Sequence, residues 1–234
     1  MKEIVTMERE MLNKYQLDAL VTMSPENITY ITGAYIPTQV TVRSRKVIHI
    51  MTRNADPVVI VVNIEEPIMR SQSWMAQESI ISYNEFTQNP VLIAIEKLKE
   101  LGVESGRLGF EMSYVSANDA ALLRRELPHA EIVDADPVFE EMRFIKLDFE
   151  LQRIIELGSR IEDVIYDAIA QIRPGVDTKA IYDSFARQFT AYGYESVAFL
   201  GHGLGLTLHE EPYRTCWNMD ERDAKDKNVI SLHW

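Results

Sequence analysis

The sequence predicts an α/β fold followed by a helix-rich second part. Three observations carry this reading: short β-branched runs alternate with helical patterns over the first 140 residues, the texture changes near residues 144–148, and the composition is globular. Of 234 residues, 46% are apolar, 26% charged and 9% aromatic, which suits a buried core and excludes disorder, collagen and coiled coil as the dominant state.

Strands are expected at 17–23, 47–52, 58–62, 79–83, 108–111 and 132–133. Ser24 is a capping residue before Pro25 at the first helical position, and Gly33 terminates the short helix between them. A second helix over 90–101 sets Leu92, Ile95, Leu98 and Leu101 on one stripe and ends at Gly102. A third, capped by Ser116 and stopped by Pro128, covers 116–127. Beyond Asp148 the pattern becomes a long amphipathic helix, 149–172, closed by Pro174-Gly175, then a helix over 178–192 closed by Gly193. Its Tyr182, Phe185, Phe189 and Tyr192 recur at helical spacing and read as core. A strand-like run, 196–200, leads into a glycine-punctuated stretch, 201–212. The rest is expected to be charged and turn-like up to a short apolar run, 229–234. The domains implied are 1–143 and 144–234.

Thirty-six acidic against 24 basic residues leave a net charge of −12, which repels nucleic acid and anionic membrane surfaces. No apolar run approaches the roughly 20 residues of a membrane-spanning helix. One cysteine, Cys216, cannot form an internal disulfide, and 1–10 has no signal-type apolar core, so a reducing, cytoplasmic setting is expected.

One segment concentrates chemistry: Gly201-His202-Gly203-Leu204-Gly205-Leu206-Thr207-Leu208-His209-Glu210-Glu211-Pro212. Three alternate glycines permit close backbone approach, and two histidines with two glutamates supply metal-ligating and proton-transfer groups. A dinucleotide-binding loop is excluded because Leu206 stands where its third glycine belongs. The H-E-x-x-H zinc pattern is excluded because Tyr213 stands at its second histidine.

This segment resembles the G-H-G-[LI]-G-x-x-x-H-E-x-P signature of the pita-bread metallopeptidases, the group of Xaa-Pro dipeptidase (prolidase), aminopeptidase P and creatinase. Leu17-Asp18-Ala19-Leu20-Val21 and 27–33 are similar to that family's amino-terminal domain. Arg143-Phe144-Ile145-Lys146 with Glu150-Leu151 resembles its R-x-x-K-x-x-x-E-[LI] start of the catalytic domain, and Ile172-Arg173-Pro174-Gly175-Val176 a family turn. The resemblance implies a creatinase-like amino-terminal α/β domain followed by a shortened α+β pita-bread domain. It implies hydrolysis of an Xaa-Pro or related small amide, a divalent metal (Mn, Co or Zn), a small peptide or amide substrate, and a homodimer. His202 corresponds to a metal-ligating histidine, and His209 to the histidine that contacts the substrate carbonyl. His233, in 228–233, stands where a glutamate ligand is expected and is a substitute metal ligand.

The family's two aspartate ligands lie about 11 residues apart on a hairpin before the histidine motif. Here no aspartate in 148–226 has another 11 positions on. Only about fifty residues separate Glu150 from His202, and they read as two helices and a strand. The alternatives implied are a catalytically inactive relative that retains dimerisation or ligand binding, and an incomplete gene product.

Overall fold

The structure is a computed structural model that describes residues 2–42, 44–193, 201–203 and 210–214. It divides into two compact units, Met1–Ile145 and Lys146–Trp234.

In the first unit six strands form one sheet: β1 (Ala19–Thr22), β2 (Ile48–Thr52), β3 (Val58–Val62), β4 (Ile80–Tyr83), β5 (Arg107–Phe110) and β6 (Glu131–Asp134). Their spatial order is β4-β3-β2-β1-β5-β6. β1 runs antiparallel to β2 (Ala19 opposite Thr52) and parallel to β5 (Ala19 opposite Leu108); β3–β4 and β5–β6 are also parallel. Every residue of β1, β2 and β3 is buried, as expected for strands covered on both faces, and this explains uninterrupted runs such as Val58-Val59-Ile60-Val61-Val62.

Helices α2 (Pro25–Thr32), α5 (Pro90–Glu100) and α6 (Ala117–Glu126) lie where capping chemistry puts them. Ser24 accepts a hydrogen bond from Asn27 N at 3.2 Å, and Gly33 closes α2 at φ 79°, a left-handed conformation that side chains disfavour. Ser116 and Asp119 cap α6 reciprocally. Replacing Ser24 by alanine is expected to cost about 1 kcal/mol in urea unfolding, the usual loss of an N-cap acceptor.

Four further helices were not marked by the sequence: α1 (Lys2–Lys14), α3 (Pro37–Thr41), α4 (Glu66–Gln72) and α7 (Asp136–Phe144). One face of the sheet packs Val21, Ile50, Val62 and Phe110 against Val91, Ala94, Ile95 and Leu98 of α5 and Leu123 of α6. The other packs Val59, Val61 and Ile80 against Ile28 of α2 and Met69 of α4. The buried stripe of α5 is therefore 91/94/95/98, rotated from the expected one: Leu92 is exposed because it lies a third of a turn from Val91. Gly109 in β5 is demanded by close approach, since a Cβ there would meet Leu17 Cδ1 at 2.8 Å and Ala135 Cβ at 3.0 Å.

The second unit contains α8 (Asp148–Gln171) and α9 (Thr178–Ala191), joined by the turn at Gly175, φ 87°. Asp177 caps α9, and Gln171 Nε2 donates to Ser184 Oγ at 3.0 Å between the helices. The aromatic residues of α9 do not form the expected core. Phe185 and Phe189 are half-buried and stack at 6.4 Å, and Tyr192, just past the helix, is exposed with Arg160 over its ring. The face of α9 that is most buried centres on Ser184, the residue that meets Gln171. No helix among the described residues is long and apolar enough to cross a membrane.

Candidate functional site

The histidine segment forms an antiparallel strand pair, β7 (Gly201–Gly203) and β8 (Glu210–Arg214). Gly201 stands opposite Arg214 and Gly203 opposite Glu210, with a register irregularity between the two glycines. Backbone pairing thus brings the two ends of the chemical segment together, with His202 between the paired glycines. Glycine at both flanking positions suits a strand that is bulged or closely approached. Residues 213–214, expected in a turn, belong to β8, because the pairing continues outward to Arg214. His209, His233, Cys216, the strand expected at 196–200 and the apolar run 229–234 lie outside the described residues.

Among the described residues no group of three or more His, Cys, Asp or Glu side chains is placed to hold a metal. The donor set carried by the resemblance is His202 and His233. Two neutral imidazoles bring no negative charge to offset two divalent cations, so this set does not fit a bridged two-metal centre and suits at most one ion.

The amino-terminal unit contains a different concentration of polar groups, at the carboxyl ends of β1 and β5. Glu111, immediately after β5, is buried and accepts four hydrogen bonds. Its Oε2 takes Met23 N at 3.0 Å, Ser24 N at 2.9 Å and the Thr22 hydroxyl; its Oε1 takes Asn27 Nδ2 at 2.7 Å. Its lone pairs are committed to fixing the β1–α2 turn, which makes it a structural carboxylate. Asn27, which begins an Asn-Ile-Thr sequon, is buried in this network.

Beside this turn lies a cavity of about 550 Å³, lined by Met23, Gln39, Lys46, Ser113, Ser116 and Asp119 among others. Gln39 is buried and donates through Nε2 to Met23 O at 2.7 Å. Lys46 forms an ion pair with Asp119. Its backbone is clamped by the Tyr83 hydroxyl, which accepts from Lys46 N at 3.0 Å and donates to Lys46 O at 3.1 Å. Burial pushes the Tyr83 hydroxyl up to about 12, so it stays protonated and can donate. Burial pushes the Asp119 carboxyl up, but hydrogen bonds from Lys46 and Ser116 outweigh it and hold it below the usual range. Ser44, Lys46 and Asp119 also line a second cavity of about 290 Å³, together with Tyr83 and Glu85. Arg45 donates to both Glu85 oxygens, at 2.9 and 2.8 Å, and holds that carboxyl low. Sequence reading located Ser116 as a cap but missed Gln39, Lys46 and Asp119. Only Ser116-x-x-Asp119 has a sequence signal, because the others are brought together by long-range pairing.

Comparison with known proteins agrees with this two-part arrangement. The family described as Creatinase/Prolidase N-terminal domain matches residues 8–145, and Metallopeptidase family M24 matches residues 146–234. The first match spans more than half of the chain, which therefore belongs to the creatinase/prolidase family. Among curated relatives, it is 30% identical over 170 residues to creatinase of a Bacillus species, covering 72% of this chain and 39% of that protein. It is 24% identical over 188 residues to an uncharacterised hydrolase/peptidase of Sinorhizobium fredii, covering 76% and 46%. The chain thus spans less than half the length of these relatives. Among solved structures, Xaa-Pro dipeptidase from Bacillus anthracis shares the fold with a TM-score of 0.62 at 14% identity, over 89% of this chain and 57% of that one.

Proposed function

We propose that this chain supplies the amino-terminal domain and the histidine-bearing part of the catalytic domain of a hydrolase acting on Xaa-Pro dipeptides or a related small amide. The observation that supports this reading is the Gly201 to Pro212 segment, which sits inside the region matched by the metallopeptidase family and begins and ends on paired strands. His202 is assigned as a ligand to a divalent ion (Mn, Co or Zn), which supplies Lewis acidity when bound, with His233 as a second donor. His209 is assigned to donate a hydrogen bond to the substrate oxygen as negative charge develops there. A homodimer, expected from the resemblance, and a cytoplasmic setting, expected from the single cysteine and the character of residues 1–10, belong to the same proposal.

A second reading is favoured by one specific observation, the lack of an aspartate pair at the required spacing in 148–226. Under it, the chain does not hydrolyse amides and its amino-terminal domain serves ligand binding or self-association. Metal analysis of the purified chain and hydrolysis of Gly-Pro or Ala-Pro in added Mn²⁺ or Co²⁺ separate the two. The hydrolase reading expects turnover that His209→Ala abolishes while leaving unfolding unchanged. No turnover and no bound metal supports the second reading.

A further inference from the structure

The strand order contains a switch point. From β1 the chain proceeds through β2 and β3 to β4 on one side, then crosses back through α5 to β5 and β6 on the other. The two neighbours β1 and β5 are parallel, and the helices that follow them diverge: α2 lies on the Val59/Val61 face, and α6 on the Val21/Phe110 face. In open α/β sheets the crevice outside the carboxyl ends of two such strands is where ligands bind, because diverging connections leave a gap there. The 550 Å³ cavity is in that position, just beyond Thr22 of β1 and Phe110 of β5, and its size is that of small-molecule sites.

Its lining restricts the ligand. Among the described lining residues the charges are one cation, Lys46, and one anion, Asp119, and they are paired. The rest is neutral: hydroxyls of Ser44, Ser113, Ser116 and Tyr114, the Gln39 amide, and the apolar Met23 and Val40. A polyphosphate would need several cations, and this chain carries a net charge of −12. A molecule with both an ammonium and a carboxylate can exchange the internal Lys46–Asp119 contact for two contacts of its own without leaving either charge unpaired. The site is prepared for this: Tyr83 fixes the Lys46 backbone, Ser116 holds Asp119, and Met23 O holds Gln39.

We infer that the cavity at the carboxyl ends of β1 and β5 is a binding site for a small zwitterion of the amino-acid type, with Lys46 taking its carboxylate and Asp119 its ammonium group. This site is separate in sequence from the histidine segment and does not rest on the hydrolase reading. Free amino acids and short peptides share the required chemistry.

Titration calorimetry on the full chain with free alanine, free proline, the dipeptide Ala-Pro and the uncharged N-acetylalanine amide tests it. Saturable binding of at least one zwitterion is expected, with none for the uncharged analogue. Whether an amino acid or the dipeptide binds more tightly identifies the source. Lys46→Gln is expected to weaken binding about tenfold or more, the effect of losing one charged contact. Val40→Trp, at a position 55% exposed and therefore able to accept the larger side chain, is expected to fill the cavity and abolish binding with the fold retained by circular dichroism. His209→Ala is expected to bind as the parent does, so failure of the hydrolase reading leaves this result intact. Absence of saturable binding up to roughly 10 mM, equal binding of the uncharged analogue, binding unchanged in both cavity variants, or binding lost in His209→Ala would overturn the inference.

Discussion

Glu111→Ala is expected to lower the stability of the amino-terminal domain by roughly 3–5 kcal/mol, the cost of breaking a buried charged network from one side. The substitution removes one carboxylate but strands four donors, Thr22 Oγ1, Met23 N, Ser24 N and Asn27 Nδ2, all on buried residues. Each of them is left without its acceptor in a buried position. Urea unfolding followed by circular dichroism gives the loss. Glu111→Gln retains one acceptor oxygen but points an amide N–H₂ at donors, so it is expected to fall between the parent and the alanine variant. A loss under about 1 kcal/mol in Glu111→Ala would mean that the network contributes no more than one ordinary hydrogen bond. The same turn forms one edge of the proposed zwitterion cavity, so Glu111→Ala is expected to weaken that site as well.

The second large effect concerns pH. Glu8 of α1 and His49 of β2 are both fully buried, with Glu8 Oε1 3.5 Å from His49 Nδ1, and neither Glu8 oxygen nor His49 Nε2 has a hydrogen-bond partner among the described residues. Burial disfavours both charged forms. It pushes Glu8 up from 4.5 to about 8, with Arg9 opposing the rise, and His49 down from 6.5 to about 3. The folded pair is therefore a neutral acid beside a neutral imidazole from about pH 3 to about pH 8. The unfolded pair is a carboxylate with an imidazolium between 4.5 and 6.5. Each state holds one proton in that interval, so the pair contributes no slope to stability between pH 4.5 and 6.5.

Above 6.5 the unfolded histidine loses its proton while folded Glu8 keeps its own. Stability then falls by about 1.4 kcal/mol per pH unit, or about 2 kcal/mol by the time pH reaches about 8. Below 4.5 the unfolded glutamate gains a proton while folded His49 stays neutral, and a similar loss of about 2 kcal/mol accrues down to about pH 3. Urea unfolding at intervals from pH 4 to 8 should show a plateau with a fall on its alkaline side. Glu8→Gln cannot ionise and is expected to remove that alkaline fall. An unchanged fall in Glu8→Gln would assign it to other groups.

Glu8 also explains what the sequence concealed. The inward stripe of α1 is Ile4, Glu8 and Leu12, so its central core position carries a carboxyl and the apolar period is broken where it would have been recognised. Helices α3 and α4 are only five and seven residues long, too short to show a period. By contrast α2, α5 and α6 were legible because Ser24, Pro90 and Ser116 mark their starts, and β1, β2 and β3 because apolar runs buried on both faces need no alternation. The histidine segment was legible as a motif, and the pairing of Gly203 with Glu210 adds that its ends are adjacent. The cavity was not legible. Met23, Gln39, Lys46 and Asp119 have no common local pattern and meet only because β1, β2 and β5 are neighbours in the sheet.

If this chain carries the histidine part of an amide hydrolase, as proposed, turnover depends on His209. The most direct test is hydrolysis of Ala-Pro by the purified chain in added Mn²⁺, compared with the His209→Ala variant. Metal-dependent turnover with no more than one bound ion per chain, abolished by His209→Ala at unchanged stability, supports the proposed hydrolase. Absence of turnover together with absence of bound metal would contradict it.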